Sequence, residues 1–395
     1  MPPVRASSER SRRAILTIAI GSIALETALL GMVAPLLPEI ESRTGAGDEA
    51  LGLALAAYAI PILLISIPVG RLADRLGRRP LLLGGLLLTG LGSIMIALSA
   101  ALPPLLLGRT VQGVGATLSW VAALALVSDL ARPGRKGEAL GFAFAANSLG
   151  AVGGPALGGI AGGTVSFEAP FFLVAAVALV ILAAGLVVLP RAAPAVAAPR
   201  GRARIVPLLL RPAAVVPALV SATGATALGL IDFVVPLDFD RRLGTTAAAV
   251  GVIFAAIALI DAAVAPPAGK AGDRLGRRPV ALAGTLTMAA SGFLLATLGG
   301  LAGACVALAI LAVGLSLAFA ASAPWLDETF GELDRGLAYG GLNLIFALGY
   351  TLGPIAGGWL LASAGAETAY ALIAIVSVLV ATLLAAPLLR RRAGL

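Results

Sequence analysis

Residues 70–80 read GRLADRLGRRP and residues 269–279 read GKAGDRLGRRP, so the heptapeptide DRLGRRP stands at Asp74 and again, 199 residues later, at Asp273. Only 12% of the 395 residues are charged, which makes chance a poor explanation for a basic heptapeptide written twice. The same offset carries Asp129 to Glu328, Gly137 to Gly336, Gly141 to Gly340 and Gly150 to Gly349. It also carries Gly154 and Pro155 to Gly353 and Pro354, and Gly158 and Gly159 to Gly357 and Gly358. One offset that aligns so many Gly, Pro and acidic positions implies a duplicated unit.

The unit is built for hydrocarbon. The chain is 59% hydrophobic with a mean hydropathy of +1.02, against about 45–50% apolar and about a quarter charged for soluble domains. A spanning helix needs about 20 mainly apolar residues, and twelve such segments are predicted: 14–37, 50–70, 80–101, 104–127, 139–162, 169–190, 213–236, 247–269, 279–298, 304–325, 336–361 and 368–388. The uncharged run 279–326 is too long for one helix and is expected to turn at GGLAG, residues 299–303. Segment 14–37 is too long for the core of a cleavable signal and lacks a cleavage site. Gly77 and Gly276 suit a backbone needing positive φ, and Pro80 and Pro279 open the spans that follow. The expected fold is all-α: twelve transmembrane helices in two pseudo-symmetric six-helix bundles, 1–190 and 212–395. Residues 191–211, rich in Pro, Ala and Arg, form a semi-rigid linker.

Net charge is +8, which by itself suggests nucleic acid. The predicted topology disposes of that reading. Of the 28 Lys and Arg residues, all but four fall on the side of the termini and of the two DRLGRRP loops. Arg43, Arg241 and Arg242 fall opposite, and Arg109 lies within a span. Positive charge stays inside, so both termini and both repeats are expected in the cytoplasm. With no histidine and one cysteine, Cys305, neither a cofactor nor a metal site is expected, nor an intrachain disulfide.

Six helices per repeat, an even number, give two halves of equal orientation, a pattern of one large class of secondary transporters. The sequence resembles the major facilitator superfamily along its whole length. Gly70 to Arg79 matches its signature loop between helices 2 and 3, and Gly269 to Arg278 is the weaker copy. RTVQGVGA, with Arg109, Gln112, Gly113 and Gly115, matches its helix 4 motif. GAVGGPALGG, from Gly150 to Gly159, matches the helix 5 motif of drug:proton antiporters. Glu26, Pro35 and Pro38 have the spacing of the helix 1 acid and prolines of vesicular monoamine transporter-like exporters. That family carries an aspartate at the position of Asn343, and this departure argues against amine specificity.

The resemblance implies a charge network of Asp74, Arg78 and Asp129, repeated as Asp273, Arg277 and Glu328. Each set reads as a latch between conformations, or more plainly as a topology anchor. The second copy, with Lys270 and Gly272 for Arg71 and Ala73, reads as the weaker latch. Gly150, Gly154, Pro155, Gly158 and Gly159, with Gly349, Gly353, Pro354, Gly357 and Gly358, strip side chains from a helix face for close packing. In an antiporter that packing also seals a leak path. Glu26 lies roughly 18 Å along its span from Ala14, near the midplane, where a carboxyl that takes up and releases a proton fits. Arg109 is read as its partner or as a snorkelling anchor. Asp261 is a second protonation or substrate candidate, and Asp232 a substrate contact or rim charge. Gln112, Asn147 and Asn343 are polar cavity candidates, or interhelical hydrogen bonds. Trp120, Phe233, Tyr58 and Tyr350 either line a cavity or pack.

The function expected is proton-coupled export of a small lipophilic or drug-like molecule by alternating access, from the bacterial cytoplasmic membrane and by a monomer. Uptake, or sugar and metabolite transport, on the same fold is the alternative. An ATP-binding GxxxxGK[ST] motif is absent. An integral-membrane enzyme is disfavoured by the lack of His, clustered Cys or a Ser–base pair.

Overall fold

In the computed structural model, the described residues are 9–132, 135–190, 211–330 and 335–392; the expected linker, apart from Arg211, lies outside them. The described helices are α1 (Glu9–Met32), α2 (Leu37–Thr44), α3 (Asp48–Leu76), α4 (Arg78–Ala97), α5 (Leu102–Asp129), α6 (Lys136–Thr164), α7 (Ala169–Val188), α8 (Pro212–Leu243), α9 (Ala247–Leu275), α10 (Arg277–Thr297), α11 (Gly300–Phe330), α12 (Arg335–Ala364) and α13 (Ala366–Arg392). Taking α1 and α2 as one span, twelve are long and apolar enough to cross a membrane. Leu149, Val180 and Val187 are among many exposed large apolar side chains, which suit a lipid surrounding.

The breaks follow from local chemistry. Pro35 and Pro38 fix φ and lack an N–H, and there α1 gives way to a 3-10 turn, Ala34–Leu36, before α2 restarts. The reversal expected at residues 299–303 occurs at Gly300, which has φ +79° and opens α11. Gly77 and Gly276 cap α4 and α10 with φ of 89° and 90° and ψ of 169° and 154°. That region is open essentially to glycine alone. A Gly77→Ala variant is expected to lose about 1–3 kcal/mol of stability, read as a lower Tm of the purified protein; an unchanged Tm would mean that the loop relaxes without strain.

The chain divides into two compact units. The first takes in Met1–Ala46, Ala57–Gly201 and Thr246–Ala255, and the second Gly47–Ala56, Arg202–Thr245 and Ala256–Leu395. In the first unit α4 packs on α5 and α1 on α6; in the second, α10 packs on α11 and α8 on α12. Glycine makes these crossings close. A Cβ at Gly85 would meet the Gly115 carbonyl oxygen at 2.6 Å, and one at Gly284 would meet the Ala318 nitrogen at 2.7 Å. On α6, Gly150, Gly154 and Gly158 lie on the backbone of Ala24, Ala28 and Met32. On α12, Gly349 and Gly353 lie on Ala222 and Thr226, and Gly357 lies against Phe233. Gly159 and Gly358 use another face: Gly159 meets Ala247 and Gly251 within the first unit, and Gly358 meets Asp48 and Glu49 within the second.

Candidate functional site

In the first unit α1, α3, α4 and α5 bring a set of polar side chains into an apolar interior. Glu26 of α1 is 2% exposed. Its Oε1 accepts hydrogen bonds from Thr89 Oγ1 of α4 at 3.0 Å and from Ser119 Oγ of α5 at 2.6 Å. Its Oε2 has no hydrogen-bond partner among the described residues. The Tyr58 hydroxyl of α3 donates to the Glu26 backbone carbonyl at 3.1 Å. The Arg109 guanidinium, also buried, lies over the Tyr58 ring, 4.6 Å from its centroid. Arg109 Nη1 donates to Gln112 Oε1 at 3.1 Å, Gln112 Nε2 to Ser93 Oγ at 2.8 Å, and Ser93 Oγ to the Thr89 carbonyl at 2.8 Å. Three sequence candidates, Glu26, Arg109 and Gln112, therefore share one cluster. Asn147 of α6 stands on the other side of α1, accepting from Thr27 Oγ1 at 2.8 Å.

The second unit holds the other acids. Asp232 of α8 is half-buried, and its Oδ2 accepts from the Tyr350 hydroxyl of α12 at 2.7 Å. The Tyr350 ring stacks on Phe346 at 5.8 Å, and Phe346 meets Phe319 at 6.1 Å. Asp261 of α9 is half-buried, with its backbone carbonyl accepting from Ser316 Oγ at 3.0 Å. Asn343 lies on α12, half-buried. Tyr58, Phe233 and Tyr350 are all buried, and Trp120 is half-buried on α5.

The two charge networks each lie inside one unit. Arg277 pairs with Asp273 at 2.7 Å and with Glu328 at 3.0 Å. Arg78 pairs with Asp129 at 3.4 Å and donates to the Ala73 carbonyl at 2.7 Å; the Asp74 side chain lies outside the described residues. The second copy thus makes a compact three-residue network despite its altered frame. Asp273 and Glu328 are largely exposed, and pairs of that kind contribute about 0.2–1 kcal/mol each.

Residues that the sequence reading passed over complete the picture. Thr89, Ser93 and Ser119 belong to no motif; the only signal is Thr89 and Ser93 one turn apart on one helix face, with Gln112 and Ser119 two turns apart on the next. In the second unit Arg241 grips Asp48 through both carboxylate oxygens, at 3.1 and 2.5 Å. Asp238, also in α8, accepts from Tyr370 at 2.9 Å and pairs with Arg242 at 2.9 Å. In the first unit Arg43 pairs with Glu39 and Glu168 and covers the Phe167 ring. A backbone hydrogen bond and Arg43 hold the Glu168 carboxyl, between α6 and α7, below the usual carboxylate range.

Comparison with known proteins agrees with this architecture. The model of the Major Facilitator Superfamily matches residues 19–237 and 217–394. The chain is 26% identical over 354 residues to multidrug resistance protein 1 of Bacillus subtilis, covering 87% of this chain and 89% of that one. It is 32% identical over 161 residues to the class B tetracycline resistance protein of Escherichia coli, a match spanning 40% of each. Among solved structures, a bacterial homologue of the human lysosomal transporter Spinster superposes with a TM-score of 0.82 at 14% identity, over 95% of this chain and 97% of that one. A peptide transporter POT superposes with a TM-score of 0.80 at 14% identity, over 96% and 94%. At that identity the likeness is one of fold.

Proposed function

The chain belongs to the Major Facilitator Superfamily, and from that premise we propose that it is a proton-coupled antiporter exporting a small lipophilic molecule. It is an integral membrane transporter of small-molecule substrates; the coupling ion, the direction and the cargo are what is proposed. The observation that carries the proposal is Glu26, a carboxyl sealed in the interior of a spanning helix bundle with hydroxyl partners. A charge at mid-bilayer costs about 2.5–3.5 kcal/mol on insertion scales. A chain that keeps an acid at such depth gains most from it if the acid is neutral for part of a cycle. The helix 5 type glycine–proline segment and relatives named for drug resistance support export. The Asp232–Tyr350 pair beside stacked Phe346 supports a cargo with an aromatic or lipophilic body.

In the proposed cycle an external proton neutralises Glu26 in the outward-open state and cargo leaves. The Arg78 and Arg277 networks open, the inward-open state releases the proton, and new cargo binds. The distribution of basic residues supports a bacterial cytoplasmic membrane with both termini inside. A single chain suffices for this scheme. The test uses energised inverted membrane vesicles with a pH-sensitive dye inside and ethidium, a quinolone and tetracycline as probes. Probe-induced proton efflux is the expected result. If none of the three moves protons, while a control antiporter does, the proposal fails.

A further inference from the structure

The two units share one backbone plan, so each position in one has a counterpart in the other. Gly85 on Gly115 repeats as Gly284 on Gly314, an offset of 199 for α4 and α5. Gly150 on Ala24 repeats as Gly349 on Ala222, and Gly154 on Ala28 as Gly353 on Thr226, an offset of 198 for α1 against α8. By these registers the counterpart of Glu26 is Gly224, that of Thr89 is Met288 and that of Ser119 is Ala318. Arg109 and Gln112 become Leu308 and Leu311. The Gly224 Cα faces the Phe319 ring, whose nearest atom would lie 3.0 Å from an added Cβ. The second unit thus fills with hydrocarbon the place that the first fills with an acid and its donors.

From this asymmetry, and resting on the proton-coupled reading, we infer that the Glu26 proton-binding site has no counterpart at the equivalent place of the second unit. We assign the proton to Glu26 Oε2, with Thr89 and Ser119 as the positioning residues that hold Oε1. Oε2 is the buried oxygen without a partner, so it can take a proton without displacing a donor. With the proton there, Oε1 still accepts from Thr89 and Ser119. With the proton gone, both hydroxyls donate to a carboxylate, and bonds of that kind are the stronger ones. Ser119 has an alternative acceptor in the Gly115 carbonyl at 3.0 Å, so its single proton can follow the charge of Glu26. Among the described residues, the titratable and charged groups facing this site are Tyr58 from α3 and Arg109 from α5. The charges of α4 and α6 cluster in their first turns, and α7 carries none.

Carbodiimide labelling tests the assignment without any cargo, because dicyclohexylcarbodiimide attacks neutral carboxyls in apolar surroundings. The full-length protein in detergent is labelled at pH 8 and Glu26 is followed by peptide mass spectrometry, with Asp232 as internal reference. The expected result is that Thr89→Val with Ser119→Ala labels Glu26 at least about threefold faster than the parent, since lost donors to the charged form favour the neutral one. Thr89→Ser should stay within about twofold of the parent because its hydroxyl is kept, and Asp232 labelling should not change. Ser119→Ala alone, a one-atom deletion, carries the same test if the double variant fails to insert. An unchanged Glu26 rate in both, or no Glu26 label in any variant, overturns the assignment. Absence of probe-driven proton efflux alongside the expected labelling contrast would instead remove the antiport reading and leave the proton site standing.

Discussion

A Glu26→Gln variant is expected to reduce probe-driven proton movement in inverted vesicles to the level of vesicles without the protein. Glutamine has almost the same volume, and its amide oxygen can still accept from Thr89 and Ser119 at the position of Oε1. The amide nitrogen then sits where Oε2 has no partner among the described residues. A buried donor left unsatisfied costs about 1–3 kcal/mol, so the variant should melt earlier yet remain folded. What it cannot do is bind and release a proton. Coupling that survives unchanged in Glu26→Gln would move the role to Asp232 or Asp261 of the second unit.

The second large effect is a contrast between neighbours. Gly154→Ala is expected to destabilise the purified protein by about 1–3 kcal/mol, the usual scale of overpacking. Its new Cβ would fall on the Ala28 carbonyl oxygen, with the Ala28 Cα at 2.7 Å. Gly153→Ala, one residue away, meets nothing within 4 Å and should instead gain up to about 1 kcal/mol from helix propensity. Thermal or denaturant melting in one detergent measures both. Equal shifts for the two would mean that α1 and α6 do not depend on backbone contact at this crossing.

Much of the fold was legible because hydrocarbon imposes a length. Mainly apolar runs of about 20 residues read as spans, and twelve helices long and apolar enough to cross a membrane are present among the described residues. Their ends were less legible. The prediction stopped the seventh span at residue 236, whereas α8 continues to Leu243. Hydropathy ends at the first charges, but a helix does not, and the Asp238–Arg242 pair one turn apart supports the extension. The charge networks were readable because a motif keeps acid, base and glycine together. The surroundings of Glu26 were not. Threonine and serine in an apolar helix look alike whether they bond back to the carbonyl one turn earlier, as Ser22 does to Ile18, or across to a carboxyl. Only the crossing of α1 with α4 and α5 decides which. For the same reason the sequence left Arg109 as a partner of Glu26 or an anchor, and did not show its hydrogen bond to Gln112 or its place over the Tyr58 ring.

The unequal interiors of the two units bear on how such a chain acquires new chemistry. Gly224, Met288 and Ala318 occupy the places of Glu26, Thr89 and Ser119 on the same glycine-crossed backbone. The scaffold therefore does not need the polar cluster in order to fold. The repeat leaves room for divergence: at this place one copy carries a costly acid while its twin keeps a hydrocarbon filling. The spare copy is also the natural place for an engineer to write a second ion site, starting with Gly224→Glu and Phe319 trimmed to make room.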